Sequence, residues 1–506
     1  MGKVCGRGLG WFSGLIFGVG GTACSGGPTD SGQSGSASLT IVAGDRLTDT
    51  VDAIPAQAIR VSVRDRTGAL RAGMQVRFSR VFSDSLAPVF VGAITDAGFA
   101  STVSTTTDAA GEAGARVRLG SRIGAGIVVI EVPETSLADT AHYTVTPGHI
   151  AGVRMLPADT ALYVGRSFTL RITAVDRQGH TTPEAPAVQV AGSSATIRSA
   201  GASITGLKLG RGAVVASAGG FSDTSVVSVV PTGTIVAWRA TFESLSPALV
   251  IANLDGSGYR ELIPGPETGV VGVTADWDPT GQWLVITKDG NPVLYRLDPS
   301  NGTTTVLPVA NPDLQTELWP QTTADGQWMY FGSSNNYRPG TIWRSRLDGS
   351  GAMQVGPGIG GFVDQFPSPS PDGTRVAYIS NRPPFAAIRI LNLGTGQETV
   401  LPAFGSPRWS PLGDLIAVLG TDEFNTFLPI TAGLGPLWLI HPDGTGQSIV
   451  GGDATYYGGF DWSPDGRFLI AGAADFTTRL ELIEVATRMR LTLPFTRLWT
   501  NPSWKP

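Results

Sequence analysis

Trp462-Ser463-Pro464-Asp465-Gly466 is a turn box that returns, whole or in part, down the last half of this chain. Ser370-Pro371-Asp372-Gly373 and Trp409-Ser410-Pro411-Leu412-Gly413 are close copies. Trp277-Asp278-Pro279-Thr280-Gly281 and Thr323-Ala324-Asp325-Gly326 are weaker ones. After each box comes an apolar strand, then a second apolar strand that ends in a turn. The boxes recur about every forty to fifty residues, the period of a four-stranded propeller blade. Blades of that kind close into a ring, so the repeat count sets the architecture and puts any binding site at the central channel.

Six copies of the first apolar strand align from residue 232 onward: Ile235-Val236-Ala237-Trp238, Trp283-Leu284-Val285-Ile286, Trp328-Met329-Tyr330-Phe331, Val376-Ala377-Tyr378-Ile379, Leu415-Ile416-Ala417-Val418 and Phe468-Leu469-Ile470-Ala471. Turns at 255–258, 298–302, 348–351 and 443–446 carry Asp and Gly, which tolerate positive φ. Only five boxes serve the six strand sets, because the set at Ile235 has none in front of it. Asn501-Pro502-Ser503-Trp504-Lys505-Pro506 matches the start of a repeat and then stops. The last residues are therefore expected to supply the first strand of the blade begun near residue 234, which removes two open sheet edges. Residues 232–506 resemble the TolB-like WD-type propellers, also seen in the propeller portions of prolyl-oligopeptidase-type proteins. The resemblance implies six blades and, as in that family, protein contacts in the periplasm. The α/β domain that precedes the propeller in the Tol-system protein is replaced here by two other segments.

The first, 38–150, alternates apolar and polar residues in short runs. Ile59-Arg60-Val61-Ser62-Val63-Arg64 is a period-2 strand followed by the turn Asp65-Arg66-Thr67-Gly68, and a second turn reads Thr107-Asp108-Ala109-Ala110-Gly111-Glu112-Ala113. Strands at this spacing predict an antiparallel sandwich. The V-x-V-x-D-x-x-G and T-D-x-x-G-x-A patterns resemble bacterial Ig-like domains of the invasin and intimin type, lengthened by an insertion-like stretch at 82–104. The second segment, 151–231, holds Leu162-Tyr163-Val164-Gly165, Ala202-Ser203-Ile204-Thr205-Gly206-Leu207 and a closing V-x-V strand. It resembles the second bacterial Ig-like group, whose members serve as spacers as well as binders. The expected fold is thus all-β: two Ig-like β-sandwiches followed by a six-bladed β-propeller closed by the C-terminal strand.

Composition agrees with many short strands joined by tight turns: charged residues are 15% of the chain and Gly numbers 67 among 506 residues. A net charge of −5 argues against nucleic acid as a partner. Lys3 and Arg7, the apolar run at 9–19 and the small residues Gly20-Gly21-Thr22-Ala23 before Cys24 read as an export signal over 1–24, too short in its apolar part to span a bilayer. Cys24 after Thr-Ala resembles a bacterial lipobox, although Gly21 stands where that motif prefers an aliphatic residue. The alternative is an ordinary signal peptide with an incidental cysteine. Ser25 after the cysteine favours the outer membrane by the sorting rule of some bacteria. Residues 25–37 form a polar flexible tether. Cys5 leaves with the signal, so Cys24 has no disulfide partner in the mature chain.

His142, His149, His180 and His441 show no metal-ligand spacing, and no G-x-S-x-G elbow, H-E-x-x-H or phosphate loop is present. No catalytic residue, cofactor or metal is expected. The residues just ahead of each box differ between blades and lie where the innermost strand meets the channel mouth: Trp319, Asp364, Gln365, Phe366, Tyr457, Trp499 and Asn501. Aromatics beside amides suit a peptide or sugar ligand. The leading expectation is a monomeric, lipid-anchored envelope protein that presents a propeller to an envelope protein or glycan, touching the membrane only through its anchor. A channel-site lyase or glycan-processing hydrolase, or an adhesin acting through the Ig-like segments, are the alternatives.

Overall fold

The computed structural model describes residues 36–191, 195–241, 244–265, 274–288, 291–309, 316–335, 338–358, 361–383, 386–421, 434–474 and 479–506. The expected export signal, Cys24 and most of the expected tether lie outside them. Every helix or strand among the described residues is a strand, and the chain divides into two compact units, Met1–Gly148 and His149–Pro506.

In the first unit, one sheet runs in the order Ser38–Ala43, Ile59–Arg64, Glu112–Leu119, Val89–Ala93. The other runs Leu47–Thr50, Leu137–Thr146, Gly124–Val132, Gln75–Arg80, Thr102–Thr106. Alternation sends Ile59, Val61, Val117, Phe78 and Ile130 into one shared core while Arg60, Arg77 and Arg118 face out. Both sequence-predicted turns use the same device. Asp65 Oδ1 accepts the N–H groups of Thr67 and Ala69 at 2.8 and 3.1 Å, and Asp108 Oδ1 those of Ala110 and Glu112 at 2.9 and 3.0 Å.

In the second unit, residues 152–230 form sheets around Met155, Leu162, Ile204, Val214 and Val229. The chain then builds six successive sheets, a β-propeller whose first strands line one channel. The first sheet takes its channel strand from the far end of the chain: Trp499–Trp504 pairs antiparallel with Thr234–Thr241, with Ile235 opposite Trp504 and Val236 opposite Ser503. The segment at 152–230 shares a core with this closing sheet. Ala161 and Val230 are buried with Phe468, Leu482, Leu491 and Trp504, Arg479 reaches Asp159 at 2.8 Å, and the Tyr163 hydroxyl donates to the Gly233 carbonyl at 3.2 Å.

The turn boxes hold by hydrogen bonds that explain their composition. Ser463 Oγ donates to Asp465 at 2.6 Å and accepts the Phe468 N–H at 2.8 Å, and Ser370 and Thr323 make the same pair of bonds. Gly466, Gly373 and Gly326 each sit near φ 67–69°, the left-handed conformation in which a side chain is strained. Leu412 replaces the aspartate in the fourth box, and Ser410 turns instead to Asp414 at 2.9 Å. Trp277, Trp409, Trp462 and Trp504 each pack against the sheet before their own, as Trp462 does when it joins Leu419, Leu437 and Leu439 and donates to the Arg408 carbonyl at 3.1 Å.

Candidate binding recess at the propeller channel

Four of the six channel strands carry an irregular step, whereas Ala275–Trp277 and Phe404–Trp409 pair without one. Pairing shifts occur between Leu318 and Gln321, Gln365 and Ser368, and Tyr456 and Phe460, and in the closing strand between the partners of Val236 and Trp238. Bulges of this kind re-aim side chains, and they concentrate at barrel rims and functional sites. At three of the four, a non-glycine residue is held left-handed ahead of a proline: Trp319 at φ 54°, Phe366 at 54° and Asn501 at 48°. For bulky aromatics that conformation is a true outlier, kept only where the surroundings enforce it. In the fourth, the space is supplied by glycine: a Cβ on Gly458 or Gly459 would meet Asn501 Oδ1 at 2.9 or 3.0 Å.

These steps open a recess of about 620 Å³, within the range of small-ligand sites. Its wall includes Trp319, Phe366, Tyr457, Gln321, Gln365 and Asn501. The Trp319 and Phe366 rings lie 4.0 Å apart between centroids at 32°, and Tyr457 is 53% exposed, so an aromatic ledge faces solvent.

The floor is charged. Arg408 donates through Nη2 to Asp276 Oδ1 at 2.6 Å and pairs through Nε with Asp461 Oδ1 at 2.8 Å. Asp276 lies three sheets away along the chain, so the guanidinium crosses the channel. The remaining carboxylate oxygens are also engaged: Asp276 Oδ2 accepts the Thr322 N–H at 2.8 Å and Asp461 Oδ2 the Trp504 N–H at 2.7 Å. Burial pushes both carboxyls above their ordinary range, against the opposing pull of Arg408, and Asp461 reaches about 6. Two carboxylates share one guanidinium, which leaves one negative charge in the middle of the ring. Beyond this plug a second recess of about 290 Å³ opens, lined by Trp277, Trp409, Trp462, Trp504 and the box prolines.

Of the seven residues expected at the mouth, Trp319, Gln365, Phe366, Tyr457 and Asn501 converge on the first recess. Asp364 and Trp499 lie elsewhere. Asp364 is 3% exposed and faces Arg382 at 3.4 Å beneath the strand, and Trp499, at 2%, turns into the core beside Phe495. Both stand at the beginning of their strands, ahead of the step that turns later residues toward the channel. The plug was missed by sequence reasoning. Its signal was a charge directly before the box tryptophan in three copies: Asp276-Trp277, Arg408-Trp409 and Asp461-Trp462.

Architecture and recess define a β-propeller with an aromatic channel mouth. No protein-family model matches the chain. The chain is 34% identical over 113 residues to an uncharacterized protein of Agrobacterium fabrum, an alignment covering 19% of this chain and 38% of that protein. It is 31% identical over 121 residues to the Tol-Pal system protein TolB of Gluconobacter oxydans, covering 22% and 23% respectively. The chain thus spans well under half the length of these curated relatives. Among solved structures, TolB from Acinetobacter baumannii aligns at 19% identity with a TM-score of 0.43, over 54% of this chain and 67% of that one.

Proposed function

We propose that this chain is an envelope-associated binding scaffold whose propeller captures a segment of a partner protein in the recess at 319, 366, 457 and 501. The aromatic ledge on strained, bulged strands carries this reading, because such backbone is kept where a surface has work to do. The likeness to TolB, a protein of the Tol-Pal system, supports an envelope setting. In this reading the six sheets are six blades, the segments at 38–150 and 151–231 are Ig-like modules that hold the propeller away from the membrane, and Cys24 is the acylated anchor. This reading favours binding over catalysis at the plug, because Asp276, Arg408 and Asp461 are engaged with one another and with backbone N–H groups.

The test is a comparison of envelope proteins retained by the full chain and by the W319A/F366A double variant. A protein retained by the first and lost by the second, at equal melting temperature, is the expected result. Identical retained sets rule out the recess as the docking site. Growth on labelled palmitate checks the anchor separately: label should enter the wild type and be absent from Cys24→Ala.

A further inference from the structure

We propose that the first unit carries its own binding surface, a ladder of alternating arginine and phenylalanine that fits an acidic polysaccharide. Arg80 lies over the rings of Phe82 and Phe90, at 5.7 and 4.8 Å from Cζ to centroid. Arg118 lies over Phe90 and Phe99 at 5.2 and 5.7 Å, and Arg116 over Phe99 at 5.1 Å. The order is continuous: Phe82, Arg80, Phe90, Arg118, Phe99, Arg116.

The backbone builds this surface deliberately enough to see how. Val89–Ala93 is the edge strand of its sheet, and Phe90 stands directly opposite Arg118 on Glu112–Leu119. Val89 and Val91 point into the core, so Phe90 points out. The segment after this strand folds back over the outer face and is pinned by paired hydrogen bonds between Val91 and Ala100, at 2.9 and 2.8 Å. Gly92 permits that fold-back, since a Cβ there would come within 2.2 Å of the Gly98 carbonyl oxygen. Phe99 is thereby seated between Arg116 and Arg118. The stretch that lengthens this segment at 82–104 contributes three of the ladder's rings.

Charge pairing separates the ladder from four other arginines of the unit, although Arg64, Arg66 and Arg122 likewise form no ion pair among the described residues. Arg46, Arg60, Arg71 and Arg77 are each paired with a carboxylate, at 3.5, 3.6, 3.7 and 2.5 Å. Arg80, Arg116 and Arg118 form no ion pair among the described residues. A guanidinium stacked on a ring uses its face, which fixes its orientation and leaves the N–H edges of Arg80 and Arg118 for in-plane, two-pronged bonds to a carboxylate, while Arg116 already donates Nη1 to the Asp96 carbonyl at 2.9 Å and keeps its remaining N–H groups for such a contact. Phe82 is 82% exposed, an apolar cost that this unit's core does not explain. Uronic-acid chains offer the complement: carboxylates spaced by sugar rings whose apolar faces stack on aromatics. Nucleic acid fits less well, because it carries a phosphate at every nucleotide and is held by many neutralising cations, whereas this chain has a net charge of −5.

The experiment titrates the full chain with labelled alginate oligosaccharides. Salt-sensitive binding is expected, lost by at least about tenfold in R80Q/R116Q/R118Q, since each two-pronged charged contact is strong. Phe82→Ala, a change at an exposed side chain that leaves the core intact, should weaken it roughly two- to fivefold, the range of an exposed cation–π contact. R60Q/R77Q, which removes two carboxylate-paired arginines of the same unit, should bind as the wild type does. Equal binding by the wild type and the triple arginine variant overturns the proposal. So does equal binding of neutral dextran, or tighter binding of polyphosphate or a single-stranded oligonucleotide at matched charge.

Discussion

Asp461 shows how much one buried carboxyl can decide. Its pKa is raised from 3.8 to about 6, chiefly by burial; Arg408 and the N–H groups of Trp504 and Trp462 pull it down, while Asp276 across the channel pushes it up. A folded pKa above the unfolded value means that the native state binds the proton more tightly. Asp461 therefore contributes stability below about pH 4 that is lost as pH rises through about 6, on the order of 3 kcal/mol in all. Aspartates in the exposed turns run the other way: hydrogen bonds from Ser350 and Thr445 lower Asp348 and Asp443, whose contribution is lost on acidification. Asp461→Asn isolates the buried group. The melting temperature of the wild type relative to this variant should fall between pH 4 and pH 6 and then level off. A constant difference across that window refutes the assignment of the titration to Asp461.

The turn box is the unit from which each sheet of the ring is started, and its serine is the residue that joins the two strands. Ser463→Ala leaves the buried N–H of Phe468 without its partner, at a cost of about 1–3 kcal/mol. Ser463→Thr should hold near wild type, because Thr323 makes the equivalent bonds in another box. Thermal melts of the two variants check this, and equal losses in both would point to side-chain bulk and not to the bond. The element level is also where the sequence was most readable. Boxes of Ser or Thr, Asp and Gly are local chemistry, satisfied within six residues, so they show in the chain wherever they occur. The mouth was partly readable: Trp319 and Phe366 break the repeat with bulky residues, but the bulges that aim them lie in strand register, which period-2 alternation does not describe. That is why Trp499 and Asp364, close by in sequence, face the core and a buried arginine. The plug was least readable, since Arg408 meets Asp276 across 132 residues and only the closed ring brings them within bonding distance.

At the scale of the molecule, the ring is held by its last strand. Ser503 and Trp504 connect three sheets at once: Trp504 N–H donates to Asp461 at 2.7 Å, the Trp277 indole donates to the Ser503 carbonyl at 3.3 Å, and Ile235 pairs with Trp504 across the closing sheet. Lys505 then donates its N–H to the Thr234 carbonyl at 2.9 Å. Removing residues 500–506 deletes all of these, exposes the edge of Thr234–Thr241 that they pair with and takes Trp504, 5% exposed, out of its core. Loss of a buried tryptophan alone costs roughly 3–5 kcal/mol, a large share of the 5–15 kcal/mol typical of a domain. The effect should also reach beyond the propeller. Ala161 and Val230 of the preceding segment share the core that Trp504 completes, so the segment at 152–230 should loosen in the same transition and not in a later one. Calorimetry of the truncated chain is expected to show one destabilised transition for the second unit, with earlier aggregation. A melting profile unchanged from the full chain would mean that the closing strand contributes no stability, and two separate transitions would mean that the shared core does not couple the segment to the ring.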